Sequence, residues 1–427
     1  MTILLWQKPL TQVVRQIVQR DNGAWFDPSD MSTLYQDAAG TTTVTAVEQP
    51  VGKILDKSGN GYHATQSITA SRPTLSARYN QLTDTDTFSG WTTRNTSIVS
   101  GLLTATSTNI DVSLRYPTTQ LINTKYSTSI EAKQGTTKWL RLRNLAVNNN
   151  VNGEAWFDLS SGVLGTVLGS VSASIVDVGG GYFRCSITGS TISTINANYV
   201  DYAPSDADNT RSVTVGKTLY VRNPIHNIGD LFLPYQRVNT ATDYDTDTRY
   251  FPKYLRFDGV DDYLSLPYMG LYAGGACSVI SAIGTTIPSD SAYLLTEGSS
   301  SSNNPNYLFG RNTSSKITLS ARNNASVVFE SVTSNKALVN FKNVTSFTDT
   351  GSIGNIYFNS TQDVSTAYTR ADPTSLNLTT IGVLNRVSPF GYYSGNLYSL
   401  IITKSALTDA QRVRCERYAA SKAGVIL

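Results

Sequence analysis

Short runs of alternating apolar and polar residues recur along this chain, and turns rich in Gly and Asn separate them. In one such run Leu140 and Leu142 alternate with Arg141 and Arg143. A period of two places successive side chains on opposite faces of a strand. Many short strands at this spacing, divided by turns, are typical of antiparallel sandwiches. The pattern therefore predicts an all-β protein.

The composition agrees with that prediction. Charged residues make up 15% of the 427 residues, and Tyr occurs 24 times, whereas soluble proteins average about 25% charged residues. Aromatic and β-branched side chains pack well on a pleated sheet. The surface is therefore covered by hydroxyls and amides, which suits extracellular particles and saccharide-binding surfaces. The length allows two or three domains.

Several classes of function are excluded by charge and cysteine usage. The net charge is +3 with Lys and Arg dispersed, so we expect no nucleic-acid partner. No apolar run approaches the roughly 20 residues of a membrane helix, so we expect no membrane insertion. The three cysteines are far apart in sequence, which predicts neither a disulfide framework nor a zinc site: Cys185, Cys277 and Cys415.

Residues 1–20 form a segment apart. Thr11 is placed to cap a short helix with one apolar face, made of Val13, Val14, Ile17 and Val18. Because so short a helix is marginal alone, that face must dock onto something. We expect residues 1–20 to be an arm that anchors the protein to a partner or to its own copies. The alternative is that the helix packs back on its own domain.

The stretch around Gly259 combines a turn signal with three carboxylates. Two apolar pairs, Leu255 with Phe257 and Leu264 with Leu266, flank an Asp-Gly turn, which predicts a β-hairpin. Gly259 supplies the positive φ that such a turn requires.

The carboxylates of this stretch are Asp258, Asp261 and Asp262. A metal or catalytic role competes with Asx-type hydrogen bonds to nearby backbone amides, and we favour the latter. Asp261 and Asp262 are adjacent, so on a strand they point to opposite faces and cannot share a substrate.

Three segments of the chain resemble the opening elements of a laminin-G-like, concanavalin-A-like sandwich that many bacteriophage structural proteins contain: WFDPSD at 25–30, DKSGNG at 56–61 and FDGVDD at 257–262. Residues 407–425 resemble the helix that closes this sandwich, with a capping box at Thr408 and Gln411. In that family the opening elements lie close together, but a long segment separates Pro73 from Phe257 here. The resemblance therefore implies an inserted domain.

The inserted segment resembles a carbohydrate-binding-module-like jelly roll of phage tail and fibre proteins, at residues 87–92, 156–162, 180–187 and 219–237. It departs from that pattern at 224–227, so no ligand contact is transferred there. We expect two antiparallel β-sandwich (jelly-roll) domains, one inserted in the other, with a short N-terminal helical arm and a C-terminal helix. The expected limits are 1–20 for the arm, 21–78 plus 249–427 for the laminin-G-like sandwich, and 79–248 for the insert.

The resemblance implies a virion structural protein, as a tail, fibre or head-decoration component, with assembly contacts and host-surface saccharide binding. Its partners are then other virion proteins, through residues 1–20, its own copies, with a trimer favoured, and host polysaccharide. Such a protein is assembled in the host cytoplasm and exposed on the extracellular particle. The alternative is a phage depolymerase that cleaves host capsule or lipopolysaccharide.

We predict no catalytic residues. Glucanases with the concanavalin-like sandwich place two glutamates and an aspartate in one strand, and the six glutamates here are widely spaced. The two histidines, His63 in a glycine-rich loop and His226 in a proline-bounded turn, lack a nucleophile-elbow motif nearby. We expect both to make surface hydrogen bonds.

The candidate binding residues are few. Saccharide contacts are expected from exposed aromatic faces, for which the candidates are Tyr202, Tyr392 and Tyr393. Calcium is the one cofactor that the pattern allows, since hard oxygen ligands converge if two segments pair across the sandwich. Its candidate ligands are Asp56, Asn60 and Asp258.

Overall fold

The computed structural model describes residues 9–122, 124–147, 153–192, 198–229, 233–247, 251–285, 291–324, 328–338, 342–368 and 375–427. The chain divides into two compact units, which we call the outer unit, Met1–Ala77 with Pro252–Leu427, and the inserted unit, Arg78–Phe251. One sandwich is thus inserted in the other, as the separated motifs predict.

The elements before the insertion are α1 (Leu10–Arg20), β1 (Ala24–Phe26), β2 (Leu34–Tyr35), β3 (Lys53–Ile54), β4 (Ala64–Thr65) and β5 (Thr74–Ser76). Those of the inserted unit are β6 (Thr92–Arg94), β7 (Thr96–Val99), β8 (Leu102–Ala105), β9 (Ser113–Pro117), β10 (Lys125–Gln134), β11 (Trp139–Asn144), β12 (Gly153–Asp158), β13 (Val163–Leu168), β14 (Val171–Gly179), β15 (Tyr182–Ser190), β16 (Tyr199–Ser205) and β17 (Thr218–Ile228). The outer unit then resumes with β18 (Tyr254–Asp258), β19 (Leu264–Leu266), β20 (Cys277–Thr285), β21 (Ala292–Ser299), β22 (Ser302–Arg311), β23 (Lys316–Arg322), β24 (Val328–Ala337), β25 (Asn343–Asp349), β26 (Ile353–Phe358), β27 (Thr361–Ala367), β28 (Leu378–Ile381), β29 (Ser394–Thr403) and α2 (Asp409–Ala423).

The outer unit is a sandwich of two antiparallel sheets. The eight-stranded sheet runs β27-β26-β25-β20-β29-β18-β5, with β1 also paired to β29. The nine-stranded sheet runs β2-β3-β4-β19-β28-β21-β22-β23-β24. Apolar side chains of both sheets, such as Leu400 and Leu319, fill the core between them. Burial of this apolar area is the main force that holds the sheets together.

Strand β29 is apolar along most of its length because both its faces are covered. Leu400 and Ile402 lie in the core between the sheets, whereas Tyr398 and Ile401 pack on the side of the helices. Trp25 pairs with Ile401, and Leu255 pairs with Leu397 on the same strand. The segments of the outer unit before and after the insertion therefore pair with the same strand, β29.

Helix α2 begins and ends where its local signals place it. The Thr408 amide donates to the Gln411 side-chain oxygen at 3.1 Å, and Gly424 ends the helix with φ 68°. Its face with Cys415 and Tyr418 is buried, against β20, β25 and β29. The predicted capping box is confirmed, and the left-handed conformation of Gly424 is the usual glycine end of a helix.

Helix α1 starts one residue before the expected cap. The Pro9 carbonyl already accepts from the amides of Gln12 and Val13, so Thr11 lies inside the first turn and the prediction that it caps the helix is wrong. Val14 and Val18 are fully buried in a cluster with residues of α2. The apolar face thus packs on its own domain, and residues 1–8 lie outside the described part of the chain.

Two predicted hairpins do not form. Strand β18 belongs to the eight-stranded sheet and β19 to the nine-stranded sheet, so the turn at Gly259, with φ 81°, connects the two layers. In the inserted unit, Val213/Val215 and Leu219/Val221 flank Gly216-Lys217, which also predicts a hairpin. Val213 instead bridges Asn109, and β17 pairs with β10 and β8. In both places, pairing with strands distant in sequence overrides the local turn.

The inserted unit is a sandwich of two six-stranded antiparallel sheets, β14-β15-β10-β17-β8-β7 and β13-β12-β11-β16-β9-β6. Leu140, Phe157, Cys185 and Ile187 lie in its core, since Phe183, Cys185 and Ile187 alternate with the polar Arg184 and Ser186 along β15. All three cysteines of the protein are buried free thiols. Among the described residues no helix has the length and hydropathy to cross a membrane.

Candidate functional site

Two of the three tyrosines predicted to bind saccharide have no exposed ring. Tyr202 is 0% exposed and Tyr393 is 3% exposed, and both belong to hydrophobic cores. Tyr202 shares the inward face of β16 with Val200, so alternation directs its ring into the core. Tyr392 is half-buried. In this conformation Tyr202 and Tyr393 serve packing, and the prediction that they contact a sugar is corrected.

The side chains of Asp56 and Asn60 organise the glycine-rich loop. One Asp56 oxygen accepts from the amides of Trp25 and Ser58, at 2.9 Å each, and the other accepts from the Ser58 hydroxyl at 2.6 Å. Asn60 donates to the Gly23 carbonyl at 2.8 Å. These bonds tie the loop to the start of β1, and a calcium role for Asp56 and Asn60 stays a prediction.

Asp258 lies with Asp261 and Asp262, and carboxylate oxygens of the three are within 4.8 Å of one another. We call these residues the acidic turn. Asp258 accepts from the amides of Val260 and Asp261, at 2.8 and 3.3 Å, which is the predicted Asx-type bonding. The expectation that Asp261 and Asp262 point to opposite faces is wrong, because neither lies on a strand and their carboxylate oxygens are within 4.8 Å of each other.

Burial, followed by the charges of Asp258 and Asp261, raises the pKa of Asp262 to about 6 although the Asp258 amide donates to it. Between about pH 4 and 6, Asp262 therefore stays protonated in the native state, whereas the same side chain has lost its proton in the unfolded chain. This difference lowers the free energy of unfolding progressively as the pH rises from about 4 to 6. We expect Asp262→Asn to raise the free energy of unfolding by roughly 1–2 kcal/mol at pH 8 and by almost nothing at pH 4. Urea denaturation at both values measures this, and an effect independent of pH contradicts it.

His226 lies inside the inserted unit instead of in a surface turn. It sits on strand β17 with 0% exposure, stacks on Tyr126 with ring centroids 5.0 Å apart, and its Nδ1 is 2.9 Å from the Thr128 hydroxyl. Burial lowers its pKa to about 3, so the ring is neutral at physiological pH. His63 accepts from the Asp56 amide at 3.0 Å, which occupies its Nδ1.

An open concavity of about 240 Å³ lies on the nine-stranded sheet, and we call it the groove. Strands β21, β22, β23 and β24 and their flanking residues form it. Its lining residues are Ser291, Tyr293, Asn306, Leu308, Arg311, Asn312, Thr318, Ser320, Arg322 and Thr333. By contrast, two apolar cavities inside the same sandwich hold about 10 Å³ each, no more than a water molecule occupies.

The groove is concave because small residues occupy its centre. Alternation along β23 turns Thr318, Ser320 and Arg322 outward while Leu319 faces the core. Gly310 lies opposite Thr318 on the next strand, and a Cβ atom there would meet the Ala292 carbonyl oxygen at 2.4 Å. The centre is therefore a shallow floor of hydroxyl groups and backbone.

Aromatic rings stand at one side of the groove. Tyr293 lines it, and the Phe390 ring lies with its centroid 6.2 Å from that of Tyr293. Phe390 is 50% exposed. The Tyr293 amide donates to the Gly391 carbonyl at 3.0 Å, which fixes the loop that carries Phe390 beside the sheet.

Two arginines of this region are held by the same backbone carbonyl. Arg322 and Arg386 both donate to the Asn303 oxygen, at 2.5 and 2.7 Å. Arg322 also donates to the Asn304 carbonyl at 2.6 Å. Burial, and then the charge of Arg322, lower the pKa of Arg386. The two guanidinium groups are therefore close, oriented and mutually repulsive.

The sequence reasoning did not identify Tyr293, Arg322 or Phe390. One signal was present for Arg322, since alternation along β23 places it on the polar face with Thr318. Phe390 stands three positions before the predicted Tyr393, so the prediction named a buried ring on the loop that also carries an exposed one. The pairing of β21 to β24, which assembles the groove, has no local signal.

No protein-family model and no curated protein sequence matches this chain. Among solved structures, a K499G mutant of NanB sialidase from Streptococcus pneumoniae is 14% identical over 37% of this chain and 26% of its own, with a TM-score of 0.32. The Ruminococcus gnavus IT-sialidase CBM40 bound to α2,3-sialyllactose is 10% identical over 38% of this chain and 95% of its own, also at 0.32. A leech intramolecular trans-sialidase complexed with 2,7-anhydro-Neu5Ac is 14% identical over 41% of this chain and 27% of its own, with a TM-score of 0.31. This chain thus spans about a quarter of the length of the two sialidases, and similarity at this level carries no information on its ligands.

Proposed function

We propose that this protein is a non-catalytic saccharide-binding protein and that the groove is its binding site. The observation that carries this proposal is the combination of a hydroxyl and amide floor with an exposed aromatic ring at one side. Sugars present hydroxyl groups around a ring whose faces are partly apolar. A site that binds them needs both kinds of surface, and the groove offers both.

The hydroxyl floor and the aromatic side of the groove have separate roles in this proposal. Thr318, Ser320 and Asn306 supply short donors and acceptors that replace water around the sugar hydroxyls. Phe390 packs on the apolar face of the sugar ring. Since drug-sized ligands occupy pockets of roughly 300–1,000 Å³, a groove of about 240 Å³ accommodates one or two sugar units of a longer chain.

We expect Phe390→Ala to weaken saccharide binding by about 5–10-fold, because a lost aromatic contact costs roughly 1 kcal/mol. The measurement is retention of the full-length chain on a panel of immobilised bacterial surface polysaccharides. Val387→Ala is the matched control, since Val387 lies on the same loop and is 57% exposed. Equal retention of the Phe390 variant and wild type contradicts the proposed site.

The wider role that we propose is that of a bacteriophage virion component, at the tail, fibre or head surface. It rests on the sequence resemblance of three segments to a phage sandwich and on the insertion. In this role residues 1–20 contact other virion proteins through the polar face of α1 that stays exposed, with Arg15 and Gln19, and the protein forms oligomers, with three copies favoured. Quantitative mass spectrometry and cryo-electron microscopy of intact particles give its copy number and position. Its absence from purified particles contradicts this role.

A second candidate function is cleavage of host polysaccharide, and the acidic turn favours it. A carboxyl group with a pKa of about 6, as at Asp262, is suited to general acid catalysis near neutrality. Against it, Asp258 and Asp262 both accept backbone hydrogen bonds that shape the turn. Incubation with capsule or lipopolysaccharide decides between the two: release of reducing ends by wild type, lost in Asp262→Asn, establishes the enzyme.

A further inference from the structure

We propose that the saccharide bound in the groove is acidic, with a carboxylate, sulfate or phosphate group seated between Arg322 and Arg386. This inference rests on the proposed function and adds the chemical class of its ligand. It is carried by the charge of the groove and by the orientation of these two side chains.

The groove is lined by cations without acidic residues. Arg322 is among its described lining residues, which include no Asp or Glu, and Arg386 lies beside Arg322, since both donate to the Asn303 carbonyl. Within the described part of the chain, neither Arg322 nor Arg386 has a carboxylate within 4.0 Å, whereas other arginines form ion pairs, including Arg115, Arg143, Arg184, Arg222 and Arg412. The unbalanced positive charge selects an anion.

The two guanidinium groups are held in place before any ligand arrives. Each uses two donors on backbone carbonyls: Arg322 on Asn303 and Asn304, and Arg386 on Asn303 and Ser388. Side chains fixed in this way lose little entropy on binding. An oxyanion beside them gains charge-assisted hydrogen bonds and reduces the repulsion between the two cations.

A saccharide fits these features better than a nucleic acid does. The groove floor consists of small hydroxyl side chains, such as Thr318 and Ser320, which match sugar hydroxyls. Single-stranded nucleic acid needs a basic track along its backbone and several stacking rings, and the net charge of +3 is dispersed along the chain. Single-stranded DNA therefore serves as the competing ligand in the test.

The test uses the full-length chain and a panel of neutral, uronate-containing, sialylated, sulfated and phosphorylated polysaccharides. We expect the tightest binding to an acidic member and a loss of at least 10-fold after its acidic groups are removed. Carboxyl reduction to the alcohol serves for uronates and sialates, and desulfation or dephosphorylation serves for the others. The treatment that abolishes binding identifies whether a carboxylate, a sulfate or a phosphate group is recognised.

Two variants test whether the acidic group of the saccharide binds in the groove. Arg322→Gln and Arg386→Gln are each expected to weaken binding of the acidic polysaccharide by 10-fold or more, because each removes charge-assisted bonds. Arg417→Gln is the matched control, since Arg417 is an exposed arginine on α2 of the same unit. Circular dichroism melting of each variant verifies that it remains folded.

The outcomes separate this inference from the proposed function. Equal binding of neutral and acidic polysaccharides overturns the acidic ligand and leaves saccharide binding in place. Tighter binding of single-stranded DNA than of every saccharide overturns the inference, as does an equal effect of the Arg322, Arg386 and Arg417 variants. Absence of binding to every polysaccharide overturns both proposals.

Discussion

Asp27→Ala lowers the free energy of unfolding of the outer unit by about 3–5 kcal/mol, the range for removing one member of a buried ion-pair network. Asp27 is 1% exposed. It accepts from the Tyr418 hydroxyl at 2.5 Å, pairs with Lys422 and Lys57 at 3.0 and 3.3 Å, and accepts from the Ser29 hydroxyl at 2.6 Å. One carboxylate thus joins α2 to the turn after β1, and its loss leaves two cations and a phenol without their shared partner.

The pH dependence of this network follows from the same contacts. Burial raises the pKa of Asp27, but hydrogen bonds from Ser29 and Tyr418 and the charges of Lys422 and Lys57 outweigh burial and lower it. The network therefore stabilises fully above about pH 4, the ordinary value of an aspartate, and is lost as the pH falls below it. Urea denaturation at pH 7 measures the change in stability.

Asp30→Ala is the matched control for Asp27→Ala. Asp30 also pairs with Lys57, at 2.6 Å, but its side chain is 34% exposed, so we expect a loss of at most about 1 kcal/mol. Equal losses for the two variants contradict the central place of Asp27.

Asp201→Ala destabilises the inserted unit by about 3–5 kcal/mol for a related reason. Asp201 is 0% exposed. Arg143 donates through Nε to both of its oxygens at 3.1 Å and also through Nη2, and Arg115 pairs with it at 3.3 Å. The variant leaves two largely buried guanidinium groups opposite an apolar methyl group.

Hydrogen exchange of the amides of β11 and β16, followed by mass spectrometry, reports this loss within the inserted unit. Asp111→Ala is the control, because Asp111 pairs with Arg94 and Arg115 on the surface with 38% side-chain exposure. We expect it to change stability by at most about 1 kcal/mol. Exchange in Asp201→Ala as slow as in wild type contradicts the prediction.

The elements that the sequence predicts well are those whose signals are local. Gly424 and the Thr408–Gln411 capping box define the ends of α2, and alternation at Leu140 to Arg143 defines β11. The prediction that Thr11 caps α1 failed because Pro9, two residues earlier, also permits a helix to start. The preference for Ser, Thr, Asp and Asn at the cap does not take such a proline into account. Both the short helix and its apolar face were nevertheless predictable.

What the sequence does not predict is which strands pair. The turn at Gly259 has every local property of a hairpin, yet its flanking strands find partners far along the chain, Leu255 with Leu397 and Leu264 with Ile381. The groove arises from the same long-range pairing, which places Thr318 beside Gly310. By contrast, the alternation of Val200 and Tyr202 along β16 is a local signal that Tyr202 faces the core.

Hydroxyl-radical footprinting of the full-length chain, with and without the tightest-binding polysaccharide of the panel, tests directly whether the groove holds the saccharide. We predict that oxidation of Phe390 falls several-fold on binding, while oxidation of Tyr220, which is 39% exposed on the inserted unit, is unchanged. Protection of Tyr220 with no change at Phe390 would contradict the claim.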